Sequence, residues 1–93
     1  MTVGVLRIEL AIGQAHSLKE KRRVIKSIKD RMSSKFNVSV AEVEAQDAWQ
    51  RAVLAVALVA NDARFVHQSL DRIVEWIRRQ RDASLIDYER ALY

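Results

Sequence analysis

The sequence predicts an α+β domain of the order β-α-β-β-α-β, with a four-stranded antiparallel sheet and two helices on one face, which is the ferredoxin-like arrangement. The pattern of strand, helix and strand occurs twice, and two right-handed split β-α-β units interleave into one such sheet. The first and third predicted strands are the most apolar, as central strands should be, and the second and fourth carry two acidic residues each. With 93 residues, the chain has room for a single domain, residues 1–93.

The first half of the chain gives a strand and then a helix. Residues 3–12 alternate with the period of two that a strand shows. In the segment HSLKE, Ser17 can cap a helix start, and Glu20, three residues on, can reach back to the cap amide. Apolar residues then recur at spacings of three and four, which predicts a helix to about Phe36.

The remaining elements follow from further changes of period. Residues 37–45 return to a period of two and place both of their glutamates on one side of Val43, which indicates a strand exposed on one face or at an edge. Residues 51–60 are almost wholly apolar and predict a central strand. Asn61 and Asp62 can cap a second helix that ends near Arg81. Residues 85–88 then have the mixed character of an edge strand.

Composition limits the class of protein. The chain has no cysteine, which excludes disulfides, thiolate metal sites and cysteine nucleophiles and is compatible with a reducing cytoplasm. No apolar run approaches the roughly 18 residues of a membrane span, and Arg7 and Glu9 interrupt the apolar core that a signal peptide needs. We therefore expect a cytoplasmic protein without a membrane anchor. Its net charge of +4 favours polyanionic partners.

The first predicted helix concentrates this positive charge, because it holds eight of the 16 basic residues. Five of them fall within about a third of the helix circumference, beside or opposite the apolar stripe. These five residues, here called the basic ridge, are Lys19, Arg22, Arg23, Lys26 and Lys29. Such spacing on a rigid helix can meet successive RNA phosphates, with His16 and Lys21 as accessory contacts. The alternative is a solvated face whose lysine stems cover apolar surface.

Other RNA-binding and catalytic patterns are incomplete. The central strands have no aromatic residue on which bases could stack, and no G-x-x-G loop occurs, so RNA contacts should be to the backbone. His16 has Glu20 one helical turn away, but nothing in the sequence supplies a pocket or a second catalytic group, and His67 has less support. Acylphosphatases share the topology but need an arginine that the loop GQAHS lacks. We expect no catalytic residue, no cofactor and no metal site.

Five segments of the chain resemble the YlxP-like family of small bacterial domains: VGVLRIEL, AHSLKEKRRV, FNVSVAEV, QDAWQRA and VANDARFV. The resemblance covers nearly the whole chain, and HSLKEKR and FNVSVAEV are its most specific parts. It implies a ferredoxin-like fold. It also implies a link to ribosomal RNA or ribosome assembly, since genes of the family often lie near those of translation initiation and ribosome maturation factors. No catalytic residue comes with it, and the matched stretch from His16 to Arg23 becomes the expected functional surface.

The central strands carry more apolar residues than one core requires. The sheet face turned away from the helices is expected to present Val3, Val5, Val53, Ala55, Ala57 and Val59. An apolar patch on a small protein usually marks a contact surface. We therefore expect a homodimer packed through this face, with Arg7 and Glu9 at its rim or paired across it. The alternative is a monomer with a mildly apolar sheet.

Three classes of function follow from these observations. The first is a non-enzymatic factor that binds RNA or a ribosomal subunit through the basic ridge. The second is a dimeric interaction or small-ligand module that works through the open sheet face. The third, an enzyme acting on a phosphorylated metabolite, lacks a nucleophile with its base.

Overall fold

The element order β-α-β-β-α-β is confirmed by the computed structural model, which describes all 93 residues. The elements are β1 (Thr2–Ala11), α1 (Leu18–Lys35), β2 (Ser39–Glu44), β3 (Arg51–Ala60), α2 (Ala63–Arg78) and β4 (Ser84–Leu92). The strands lie in the order β2-β3-β1-β4, and every neighbouring pair is antiparallel. The two most apolar strands are therefore central, as the sequence predicts. Neither helix is both long enough and apolar enough to cross a membrane.

The core lies between the sheet and the two helices. Alternate residues of β1 and β3 turn toward the helices and are fully buried, because a strand presents successive side chains to opposite faces. The helices contribute one apolar stripe each, at spacings of three and four residues: Ile25, Ile28 and Met32 from α1, and Val66, Leu70, Ile73 and Ile77 from α2. The opposite sheet face carries no helix and is here called the open face.

The close approach of α2 to β1 depends on Gly4. A Cβ atom at this position would overlap Cγ1 of Val66 and would lie 3.4 Å from Cδ1 of Leu70. The missing side chain lets the helix sit directly on the strand, so Gly4 is a packing requirement and not a turn residue.

Some element boundaries differ from those expected. β3 has the predicted bounds, whereas α2 ends at Arg78, three residues earlier than expected, with Arg79 as its C-cap. β4 is longer than residues 85–88, because eight residues between Ser84 and Leu92 pair with β1 and the ladder extends to the Val3–Tyr93 pair. The polar side chains of an edge strand hide this extent from the sequence pattern.

The prediction that Glu42 and Glu44 share one side of β2 is wrong. Glu42 stands opposite Leu54 and faces the helices, whereas Glu44 stands opposite Val53 and faces the open side. A bulge at Val43 causes this, since one extra residue in a strand reverses the alternation after it. The two carboxylates therefore lie on opposite faces of the sheet, with Glu42 toward the helix layer and Glu44 on the open face.

Candidate nucleic-acid interface

The start of α1 is capped by Ser17, as the sequence predicts. The Ser17 hydroxyl accepts a hydrogen bond from the Glu20 amide at 3.1 Å, which satisfies an amide that a helix start leaves without a partner. The Glu20 carboxylate accepts a hydrogen bond from the His16 amide at 2.7 Å, one residue before the cap amide that the capping box predicts. The two bonds hold the chain on either side of Ser17 and fix where α1 begins.

The basic ridge is largely exposed. Lys19, Arg22, Arg23 and Lys26 are exposed, whereas Lys29 is half-buried beside the apolar stripe. Four of the five side chains form no ion pair, and the exception is Lys26, whose ammonium lies 2.7 Å from the Asp30 carboxylate. That hydrogen bond raises the pKa of Lys26. The ridge thus offers four uncompensated cations and one that Asp30 partly neutralises.

Lys21 does not belong to this surface, which corrects its predicted accessory role. Its side chain is 0% exposed, its ammonium lies 2.7 Å from a Glu42 carboxylate oxygen, and it donates to the Ala45 carbonyl at 2.6 Å. Ala45 has a φ of 60°, a conformation that residues other than glycine and asparagine rarely adopt. Lys21 thus links α1 to the end of β2. The sequence holds a signal for this, because Lys21 lies four residues before Ile25 on the buried stripe.

His16 is exposed, and its imidazole has no hydrogen-bond partner in the protein. The Glu20 carboxylate, one helical turn away, accepts a hydrogen bond from the His16 backbone amide and not from its imidazole. The second histidine, His67, lies on α2 with its Nδ1 3.3 Å from an Arg90 guanidinium nitrogen. No group of three or more His, Asp or Glu side chains is placed to hold a metal ion.

Charge is divided between the two layers. The helices carry eleven Lys and Arg against four Asp and Glu, a net of +7, whereas the strands carry three against five, a net of −2. Nine basic side chains form no ion pair, and all of them lie on α1, on α2 or in the segment just after α2. They are Lys19, Arg22, Arg23, Lys29, Lys35, Arg64, Arg72, Arg79 and Arg81. A polyanion is therefore attracted to the helix layer.

One half of the open face carries two ion pairs between strands. Arg7 donates to Glu44 across β3 with its Nε 2.8 Å from Oε2, and Arg51 donates to Glu9 at 3.0 Å. The hydrogen bond to Glu44 raises the pKa of Arg7, and the bond from Arg51 lowers the pKa of Glu9. Arg7 and Glu9 therefore have partners within the chain and lie on a central strand, not at the rim of the face.

The other half of the open face is apolar. Val3 lies opposite Val59 and Val5 lies opposite Ala57, and these four residues are here called the apolar end. Val59 is 63% exposed. Val53, which the sequence places in the same exposed patch, is instead fully buried. It lies between Glu9 and Glu44 in the ladder, where the charged side chains of the neighbouring strands cover it.

A groove between the C-terminal end of α1 and the outer face of α2 was not predicted. It consists of two adjoining depressions of about 440 and 260 Å³ that share Lys35, Phe36 and Arg72. We call the groove formed by six of the lining residues the helix groove: Lys35, Phe36, Phe65, Arg72, Trp76 and Arg79. The aromatic residues are scattered in sequence, and the packing of α1 against α2 brings them together. Phe65, Arg72 and Trp76 of α2 and its C-cap Arg79 recur at spacings of seven, four and three, which is the signal of a second helix face.

Comparison with known proteins confirms the resemblance. Residues 3–90 match the family described as "Protein of unknown function (DUF503)". The chain is also 40% identical over 75 residues to "Uncharacterized protein YlxP" from Bacillus subtilis (strain 168). That alignment covers 81% of this chain and 82% of the relative. The family match, over residues 3–90, includes both helices and therefore the basic ridge and the helix groove.

Proposed function

We propose that this chain, which belongs to the DUF503 family, is a non-enzymatic accessory protein that binds RNA or a ribosomal subunit during ribosome maturation or translation. The observation that supports this function is the concentration of uncompensated positive charge on the helix layer. Within that layer, the basic ridge is the contact surface. The gene neighbourhood that the YlxP-like resemblance implies supports the same partner class.

The chemistry of the ridge fits phosphate binding better than general solvation. Lys19, Arg22 and Arg23 are exposed, have no carboxylate partner and lie on one capped and therefore rigid helix. Each phosphate that they neutralise releases counterions, which gives an affinity that falls as salt rises. Backbone contacts of this kind carry little sequence information, so the ridge should bind many RNA sequences with similar affinity.

The sheet is a poor alternative site for RNA in this protein. An RNA-recognition motif stacks bases on aromatic residues of its central strands, and β1 and β3 contain none. The strands also carry net negative charge. The helix layer is therefore the side that faces RNA.

The decisive experiment is a fluorescence-anisotropy titration of a labelled fragment of 16S-like RNA across a salt series. The variant Lys19→Gln/Arg22→Gln/Arg23→Gln/Lys26→Gln should bind more weakly. The slope of log affinity against log salt should fall by roughly 0.7 to 0.9 for each phosphate that the variant no longer neutralises. Folding should be retained, because all four side chains point into water. Unchanged affinity and slope would reject the ridge.

A matched control separates the ridge from total charge. Arg64→Gln/Arg81→Gln removes two unpaired cations from outside the ridge, and Arg22→Gln/Arg23→Gln removes two from within it. The ridge pair should have the larger effect. Equal reductions in affinity would mean that net charge alone governs binding. Co-sedimentation with ribosomal subunits at low and high salt tests the proposed partner.

The second candidate function uses the open face. The apolar end, with Val59 largely exposed, favours a dimeric interaction or small-ligand module. In that case the ridge would only keep the protein soluble, and the RNA titration above would show no difference between the ridge and control variants.

A further inference from the structure

We infer that the helix groove binds an unpaired nucleotide of the RNA, with its base stacked on Phe65 and its phosphates between Lys35 and Arg72. The inference rests on the proposed function for the identity of the ligand. It uses none of the ridge residues, however, so the two sites can be tested separately.

Phe65 is the natural stacking surface of the groove. It lies in the first turn of α2, lines the depression of about 260 Å³, and is 53% exposed. An aromatic ring left this open to water loses most of the benefit of burial. Every nucleobase has a flat π face, and stacking on an exposed aromatic ring is a principal source of affinity for single strands.

The cations of the groove are placed for the phosphates on either side of such a base. Lys35 and Arg72 line both depressions, and Arg79 lines the larger one. None of the three forms an ion pair. An anion therefore meets three uncompensated cations along the length of the groove.

Two carboxylates also line the larger depression, and both have basic neighbours. Asp71 is paired with Arg90 of β4, and Glu75 lies 3.9 Å from Arg78. Each carboxylate is thereby partly neutralised by an arginine that does not line the groove. The smaller depression, where Phe65 lies, contains no acidic residue.

Trp76 gives the groove a fixed wall. Its ring contacts Phe36 edge to face, with centroids 6.1 Å apart and planes at 85°, and the Arg31 guanidinium lies 5.8 Å from its centroid. These contacts hold the indole in one orientation. Trp76 lines the larger depression, which shares Lys35, Phe36 and Arg72 with the depression that holds Phe65. A nucleotide whose phosphates lie between Lys35 and Arg72 therefore changes the surroundings of the indole, and its fluorescence reports occupancy.

The shape of the groove favours single strands. The larger depression, about 440 Å³, lies in the lower part of the roughly 300–1,000 Å³ range of ligand pockets, and the smaller, about 260 Å³, lies below that range, so each has room for one nucleotide at most. In a duplex the bases are already stacked and paired, and none is available to Phe65. The basic ridge, by contrast, contacts phosphates, which single-stranded and duplex RNA both expose.

The test uses Trp49→Phe protein, in which Trp76 is the sole tryptophan. We expect saturable quenching of Trp76 by a 12-nucleotide single-stranded RNA and much less by the same strand in a duplex. Adding Phe65→Leu, which keeps an apolar side chain but removes the π face, should weaken single-strand binding about tenfold. Duplex binding should be unchanged.

Tyr93→Leu is the matched control, since Tyr93 is also an exposed aromatic residue but lies outside the groove. It should leave both affinities unchanged, and circular dichroism checks that each variant is folded. If Phe65→Leu keeps full affinity for single-stranded RNA while the ridge variants lose affinity, the groove proposal is overturned and the ridge proposal is not. Equal weakening by Phe65→Leu and Tyr93→Leu would also overturn the groove proposal. A wild type that binds neither RNA form would overturn the ridge as well.

Discussion

The hydroxyl of Ser17 caps the N-terminal end of α1. It accepts the hydrogen bond of the Glu20 amide, which loses this partner when the hydroxyl is removed. Ser17→Ala should therefore cost about 1 kcal/mol of unfolding free energy. Urea denaturation followed by circular dichroism measures this loss. A midpoint equal to that of wild type would mean that the cap does not hold the helix start.

The buried Lys21–Glu42 pair should matter more than any ion pair on the surface. Lys21→Met removes the buried ammonium and leaves the Glu42 carboxylate, which is 17% exposed, without a partner. Breaking such a pair costs about 3 kcal/mol. The double variant Lys21→Met/Glu42→Leu should recover much of the stability. Urea denaturation of wild type, the two single variants and the double variant gives the coupling free energy between the two side chains. Additive effects in this cycle would show that the two side chains are independent.

The Glu9–Arg51 pair should make stability depend on pH. The hydrogen bond from Arg51 holds the pKa of Glu9 below its ordinary value of 4.5. The folded state therefore favours the carboxylate, and this contribution is present above the unfolded pKa and is lost as the pH falls through the folded pKa. The difference in denaturation midpoint between wild type and Glu9→Gln should be largest near pH 7 and shrink below about pH 4. A difference that is constant with pH would contradict this account.

Between elements, the contact of β1 with α2 is the most sensitive to added volume. Gly4→Ala places a methyl group against Val66, and overpacking of this kind costs about 1–3 kcal/mol. The double variant Gly4→Ala/Val66→Ala should be destabilised by less than the sum of the two single variants, because the second change frees the space. Gly13→Ala is the control, since a Cβ there meets nothing within 4 Å. Thermal denaturation of wild type, the two single variants and the double variant measures these losses. Additive losses would mean that the methyl group does not press against Val66.

Periodicity predicted the elements well wherever one face of an element is buried. The bounds of β3 and the start of α1 agree with the sequence, because an apolar run and a capping box depend on local residues alone. The bulge at Val43 was missed, because the glutamates on either side of it contact residues far away in sequence. Glu42 contacts Lys21, 21 residues away, and Glu44 contacts Arg7, 37 residues away, and no local pattern shows these pairs. The length of β4 was missed because an edge strand needs few apolar residues.

The candidate surfaces also divide into those that local residues determine and those that depend on contacts distant in sequence. The ridge could be placed from the helix period, because exposed positions of one helix need no knowledge of its neighbours. Lys21 was assigned to the surface by its charge, although its position on the apolar stripe indicates burial. The helix groove depends on how α1 and α2 pack, so its three aromatic residues, Phe36, Phe65 and Trp76, give no signal in the sequence, where they lie far apart.

For the whole molecule, the apolar end leads us to expect a homodimer that packs through the open face. Val53 is buried and unsuitable as a probe, so the test uses Val3→Glu/Val59→Glu, which places two charges opposite each other on the apolar end. Sedimentation equilibrium should show a folded monomer for this variant and a dimer for wild type. Val43→Glu changes an exposed valine elsewhere and should remain dimeric. A wild type that is monomeric at about 100 µM, a dissociation free energy of about 5–6 kcal/mol, would reject the dimer.

A dimer formed in this way would leave the basic ridge free. The ridge lies on α1, on the side of the sheet away from the open face. Two copies joined through their open faces would present two positive layers pointing outward. The helix groove borders the open face, because Val59 of the apolar end also lines the smaller depression. The ridge and dimer proposals therefore share no residue, whereas the groove and the dimer share Val59.

The bulge at Val43 has a counterpart at the opposite edge of the sheet. In β4 the pairing with β1 shifts between Leu85 and Asp87, so Ile86 is an extra residue there and is 55% exposed. If a strand from another molecule paired with β2 or β4, its hydrogen-bond register would be interrupted at the bulge. The two bulges therefore hinder extension of the sheet at both of its edges. We expect concentrated solutions to resist fibril formation even though a tenth of the chain is an almost unbroken apolar strand.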